Sequence, residues 1–216
     1  MSRRKVFPSD VRKVGYCPTM YFFDLYLREK APLSLRVRAV WGKLLHLFHR
    51  LVRLSWINEA LIKAELGDLQ VTLVGRPDSF RVVEESGKVV VEEFKSHKAP
   101  SRESSLTFHG AWLSDALQTM TYALMLRTAG KGTDFELIVR YIDKSVKIPY
   151  DEELVLKYIR LLKDIAEGVF PEPGWVSRNK CRRCPYREIC PYSPYRKVEL
   201  RGFYSGEGEG GTPQPS

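Results

Sequence analysis

Residues 71–96 read VTLVGRPDSFRVVEESGKVVVEEFKS, and the pattern predicts three short strands. Leu69 to Val74 is apolar and β-branched. Gly75-Arg76-Pro77-Asp78 breaks that run, Ser79 to Val83 resumes it, Ser86-Gly87-Lys88 supplies a tight turn, and Val89 to Lys95 is the third strand. Side chains alternate along a strand, so Glu93 and Lys95 share one face and Phe94 takes the other. The hairpin between the second and third strands carries Asp78 and Glu93 toward the same sheet edge. Two carboxylates and a lysine on one face suit metal-assisted hydrolysis. The acids hold a hard cation, and the lysine steers a nucleophile or stabilises developing negative charge. Exposed strands also carry Glu and Lys as a solvated face, so the surrounding chain has to decide between the two.

Upstream, Ser9-Asp10 is expected to cap a short helix ending at Tyr16-Cys17-Pro18, and Thr19 to Arg28 reads as an aromatic-rich second helix. Val37 to about Ala64 has helical spacing of Trp41, Leu44, Leu45, Phe48, Leu51 and Val52. His46 and His49 sit among them, with Gly42 one turn before His46, where a glycine lets a ligand or backbone come close. Downstream, Ser96 to Ser105 is a polar, basic loop with His97, Lys98 and Arg102. Phe108 to Thr128 reads as one long helix closed by Ala129-Gly130-Lys131-Gly132. Gln118 and Tyr122 are four residues apart on it and share a face. Phe135 to Ile142 and Ser145 to Ile148 read as strands, and Asp151 caps a helix running through Glu167. The order predicts an α/β fold, a central mixed sheet flanked by helices.

The chain of 216 residues carries a formal net charge of +9, which favours an anionic partner, nucleic acid or a membrane surface, without choosing between them. The N-terminus, MSRRKVFPSD, has no apolar signal region. No apolar run reaches transmembrane length, Asp115 interrupting the one from Ala111 to Leu126. The expectation is a cytoplasmic protein with no membrane partner. There, four cysteines are more readily metal ligands or thiols than disulfides.

Cys181-x-x-Cys184 is followed by Cys190, and the remaining cysteine, Cys17, lies near the N-terminus. Four thiolates suit a tetrahedral zinc or an iron–sulfur cluster. Proline directly follows Cys17, Cys184 and Cys190, as in iron–sulfur ligand runs, which puts the cluster ahead of zinc. Either metal would staple the two chain ends together. Between Pro171 and Arg201 basic residues outnumber acids, with Arg178, Lys180, Arg182, Arg183 and Arg187 around the cysteines. They fit a phosphate-tracking groove, where Trp175, Tyr186 or Tyr192 would either stack bases or pack around the metal. Residues 205–216 are Gly-, Pro- and Ser-rich and expected to be disordered.

His46, then Gly75-Arg76-Pro77-Asp78, then Glu93-Phe94-Lys95, then Gln118-x-x-x-Tyr122 resemble the successive motifs of the RecB-like branch of PD-(D/E)xK nucleases. With Tyr16-Cys17-Pro18 and Cys181, Cys184 and Cys190 added, the chain resembles the stand-alone CRISPR-associated iron–sulfur exonucleases, the Cas-four family. Of the adjacent acids, Glu93 is preferred to Glu92 because one residue separates it from Lys95. No nucleotide-binding P-loop of the G-x-x-x-x-G-K-[ST] type is present.

The resemblance implies a restriction-endonuclease-like sheet with a small C-terminal iron–sulfur lobe closed by an N-terminal cysteine. Residues 1–204 would form one nuclease domain, with a core of about 31–170 and a lobe from 1–30 plus 171–204. His46, Asp78, Glu93 and the Phe94 carbonyl would bind Mn²⁺ or Mg²⁺. Lys95 would orient the attacking water, and Gln118 and Tyr122 would position the lysine or the DNA backbone. Cys17, Cys181, Cys184 and Cys190 would hold a [4Fe–4S] cluster in preference to [2Fe–2S]. The implied activity is exonucleolytic hydrolysis of single-stranded DNA ends, processing fragments for CRISPR spacer acquisition. The CRISPR integrase is the implied partner, with homo-oligomerisation left open. Competing readings are a non-catalytic DNA-binding adaptor to the integrase, and a zinc-stapled or repair nuclease of the same fold.

Overall fold

A computed structural model describes residues 3–27, 61–173 and 176–197. The chain divides into two compact units, Met1–Trp175 and Val176–Ser216. His46, His49, Trp175, the tail and the expected helix as far as residue 60 lie outside the described residues.

In the larger unit, β1 (Arg4–Val6) leads into α1 (Pro8–Tyr16) and α2 (Pro18–Tyr26). The cap of α1 differs from expectation. Pro8 opens the helix, Phe7 is the N-cap, and Asp10 reaches back to accept the Phe7 N–H at 3.4 Å. Proline at the first helical position suits its fixed φ. Cys17 ends α1 and caps α2, its Sγ accepting the Met20 N–H at 3.4 Å.

Strands β2 (Ile62–Leu66) and β3 (Val71–Gly75) form an antiparallel pair, and β1 adds to β3 in parallel. The expected helix to Ala64 is therefore wrong at its end: residues 62–64 belong to β2. Their alternating burial, Ile62 and Ala64 inside with Lys63 out, is the strand period. Strand β3 does not join the hairpin that follows it. Strands β4 (Ser79–Val82) and β5 (Val89–Phe94) pair antiparallel in a second sheet, ordered β4-β5-β8-β9. There β8 (Phe135–Arg140) lies parallel to β5, and β9 (Ser145–Ile148) returns antiparallel on β8. The mixed sheet expected as one piece is thus hydrogen-bonded as two larger sheets, beside a small ribbon.

That ribbon is a second correction. Residues 108–112 are not helical. β6 (Thr107–Phe108) and β7 (Ala111–Trp112) form a hairpin across His109-Gly110, whose φ values are +47° and +80°. Positive φ at both central residues is the turn that matches strand twist. The long helix starts only after it, as α3 (Leu113–Thr128).

Helix α3 is the centre of the larger unit. Every residue from Ser114 to Leu126 is buried, and α1, β2, β5, β8 and α4 (Glu152–Ala166) pack around it. A helix enclosed on all sides loses the one-sided apolar stripe. Its polar residues are consequently satisfied within the fold. Thr119 and Thr121 donate to the carbonyls of Asp115 (3.0 Å) and Leu117 (2.6 Å). Helix α4 is capped as expected, Asp151 accepting the Leu154 N–H at 2.9 Å. The smaller unit contains α5 (Arg178–Arg182) and a series of turns. No helix among the described residues is long and apolar enough to cross a membrane.

Candidate active site

The β4–β5 register pairs Ser79 with Glu92 and Phe80 with Val91. One step further, Asp78 stands opposite Glu93. Asp78 Oδ2 accepts the Phe94 N–H at 2.9 Å, which fixes the carboxylate against the end of β5. Lys95 Nζ donates to Glu93 Oε1 at 3.0 Å, as the shared face requires. The lysine side chain is 8% exposed and the glutamate's 5%. Burying such a pair is costly unless its geometry and hydrogen bonds are good, and here the ammonium also reaches α3. Glu92 goes elsewhere. It takes a two-point contact from Arg140, Nε at 3.0 Å and Nη2 at 2.5 Å. The two adjacent acids are thereby separated by face.

Gln118 Oε1 accepts from Lys95 Nζ at 2.7 Å. Tyr122 is buried, and its hydroxyl is held protonated well above the ordinary tyrosine range. Burial is the main cause, the charge of Glu93 adds to it, a hydrogen bond with Gln118 opposes it, and Asp78 contributes a smaller push upward. The helical pair thus faces the two carboxylates of the hairpin. Gly75 explains how the elements come this close. A Cβ there would lie 2.8 Å from Pro8 Cδ and 3.1 Å from Tyr122 Cε1.

Sequence reasoning missed Asp115, met only as a charge interrupting an apolar run. Its carboxylate is fully buried and takes three basic side chains: Arg12 Nε at 2.9 Å, His97 Nε2 at 2.9 Å and Lys95 Nζ at 3.6 Å. Burial alone would raise its pKa. The His97 hydrogen bond and the charges of Lys95 and Arg12 overcome that and hold it far below the usual carboxylate range. The signal was available: a charge in an otherwise buried helix needs a partner, and Asp115 lies three residues before Gln118, on the same side.

Residues 38–191 match the model of the PD-(D/E)XK nuclease superfamily. The chain belongs to that superfamily. It is 29% identical over 194 residues to the CRISPR-associated exonuclease Cas4/endonuclease Cas1 fusion of Myxococcus xanthus (strain DK1622), covering 86% of this chain and 31% of that protein. The chain thus spans about a third of that relative's length. Among solved structures it is similar to SSO0001, with a TM-score of 0.55 at 18% identity, over 88% of this chain and 87% of the other. That likeness concerns the fold, a restriction-endonuclease-like arrangement of mixed sheets and helices.

The donor chemistry at the hairpin fits the divalent cation such nucleases use. Asp78 and Glu93 are hard oxygen donors on facing residues. The third expected side chain, His46, is outside the described residues. In the smaller unit, Cys181 lies in α5, and Cys184 and Cys190 follow on turns, with the Cys184 N–H bonded to the Cys181 carbonyl at 3.1 Å. None of the four cysteines forms a disulfide, and all are half-buried. Burial raises the pKa of Cys190 while N–H groups of Tyr192 and Ser193 act against it, and the proximity of Cys181 raises it further. Backbone N–H groups on sulfur are the contacts that tune a metal-bound thiolate, so these thiols suit a soft metal centre. Among the described residues no three His, Cys, Asp or Glu side chains converge as a metal site. Arg178, Arg182, Arg183 and Arg187 are exposed and Lys180 is half-buried. Tyr186 is 2% exposed, which withdraws it from base stacking and leaves the packing role.

Proposed function

We propose that this protein is a divalent-cation-dependent deoxyribonuclease that degrades single-stranded DNA from its ends and trims fragments for CRISPR spacer acquisition. The observation that carries the reading is the placement of Lys95. Its ammonium is held by Glu93 at 3.0 Å and Gln118 at 2.7 Å, beside the Asp78 that braces the Phe94 amide. Glu93 and Gln118 hold the ammonium by hydrogen bonds and Asp115 Oδ1 lies 3.6 Å from it, so its positive charge is fixed for a phosphate oxygen or the attacking water. A cation held by Asp78, Glu93, the Phe94 carbonyl and His46 would neutralise the phosphate and lower the pKa of a bound water. Gln118 stops the lysine from swinging away, and Tyr122, kept protonated, donates rather than repels.

Supporting the substrate class are the superfamily, the excess of Lys and Arg, and the exposed arginines of the smaller unit. The same proposal gives Cys17, Cys181, Cys184 and Cys190 an iron–sulfur cluster with a stabilising role. The similarity to a Cas4/Cas1 fusion motivates the integrase as a partner.

The test is digestion of end-labelled single-stranded DNA with Mn²⁺, with chelator, and with Asp78→Ala. Cleavage that requires both the cation and Asp78 is expected, and the ladders from each labelled end give polarity. DNA binding without cleavage under every cation would instead point to the adaptor reading.

A further inference from the structure

Arg12 has no part in the chemistry above, yet it shares a carboxylate oxygen with Lys95. Both contact Asp115 Oδ1, Arg12 Nε at 2.9 Å and Lys95 Nζ at 3.6 Å, while His97 Nε2 occupies Oδ2 at 2.9 Å. His97 sits on Oδ2, and the guanidinium makes a one-point contact on Oδ1 instead of the two-point fork that Arg140 makes on Glu92. Among the described residues it is held by its inner nitrogen alone. Both terminal nitrogens remain available, on a side chain that is 40% exposed. His97 is fixed in turn by its backbone, its carbonyl accepting the Ile142 N–H at 3.3 Å, and by edge contact with the Tyr141 ring.

The approach of α1 to α3 that makes the contact depends on the absence of a side chain. At Gly15, one turn beyond Arg12, a Cβ would lie 2.4 Å from Leu117 Cδ1 and 3.3 Å from Ser114 Cα. The fold thus presses α1 onto α3 beside Asp115 and presents an aligned, half-exposed guanidinium next to the buried lysine.

We propose that Arg12 binds a backbone phosphate of the DNA strand neighbouring the phosphate at Lys95, with Asp115 and His97 as the positioning residues that hold its fork outward. A planar guanidinium with its fork open matches phosphate oxygens in two-point geometry. The inference rests on the nuclease reading for the nature of the ligand, and its test separates the two.

The full-length protein as purified is titrated with a fluorescently labelled single-stranded oligodeoxynucleotide in chelator over a series of KCl concentrations. Each lost phosphate contact on a single strand flattens the slope of log K against log salt by about 0.7. Arg12→Gln should flatten it by that amount. Arg12→Lys should retain most of the slope, and Arg160→Gln, an exposed arginine on α4, should leave it unchanged. An unaltered slope in Arg12→Gln would make Arg12 a mere brace between helices and overturn the inference. Absence of DNA binding by the wild-type protein would overturn the nuclease reading itself. Phenylglyoxal labelling of the wild-type protein, read by peptide mass, covers the case in which Arg12→Gln does not fold. Arg12 should be protected by the oligonucleotide, and equal labelling with and without it refutes the contact.

Discussion

At the scale of single residues, Asp115 carries the largest expected energetic effect. It is fully buried between Lys95, His97 and Arg12. Asp115→Asn weakens three charge-assisted contacts, while Lys95 keeps Glu93 and the half-exposed Arg12 and His97 turn to water, so the cost is about 1.5–3 kcal/mol. Its folded pKa lies below the unfolded value, so the sign is fixed. The stabilisation is complete above about pH 4, where the unfolded carboxylate is ionised, and is lost as pH falls toward the folded value. Urea unfolding of wild type and variant at pH 7 and again at pH 3 should show the gap shrinking in acid. A gap independent of pH would contradict the ionic account. The same residue shows what a linear reading misses. Asp78, Glu93 and Lys95 are near one another in sequence and their strand period placed them together. Asp115 gathers partners from α1, from the loop after β5 and from β5's end, and no local pattern encodes those three encounters.

Among elements, those legible in the sequence were the ones whose signals are local. The hairpin β4–β5, the pair β8–β9 and helix α4 followed from alternation, turn residues and a capping aspartate. β1 and β2 form through pairing with β3, and three residues such as Arg4–Val6 hold too little pattern to announce a strand. The start of α3 was misread because the apolar residues of β6 and β7 continue the helical spacing, and only the His109-Gly110 turn interrupts it. The glycine of the Gly75-Arg76-Pro77-Asp78 break has an element-level purpose, a close approach of β3 to α1 and α3. Gly75→Ala should cost about 1–3 kcal/mol by overpacking. Because Tyr122 is one of the displaced atoms' owners, cleavage should fall with stability. Gly67→Ala, where a Cβ meets nothing within 4 Å, should change neither, as urea midpoints and the end-labelled digestion would show. Equal effects of the two substitutions would refute the steric reason.

For the whole molecule, the proposed cluster draws on cysteines far apart in the sequence, Cys17 near its start and Cys181, Cys184 and Cys190 near its end. If it ties the chain ends, Cys184→Ala should lose visible absorption and lower the melting temperature together. Asp78→Ala should keep the absorption, because its residues are different ones. An unchanged melting curve in Cys184→Ala would remove the staple. Calorimetry with parallel absorption spectra checks both.

The parallel pairing of β5 with β8 sets Val89 beside Phe135, with all of α3 between them in the chain. Such distant pairings form late, after the closure of a long loop. Until the ribosome has released residues well beyond Arg140, the end of β5 lacks the neighbouring strand on which Lys95 rests, its amide bonded to the Arg140 carbonyl at 2.8 Å. A nascent or truncated chain that stops short of β8 therefore lacks one of the contacts that fix the backbone of Lys95. In the proposed nuclease, the topology would serve as a safety catch, leaving the site incomplete until the distant strand has been made.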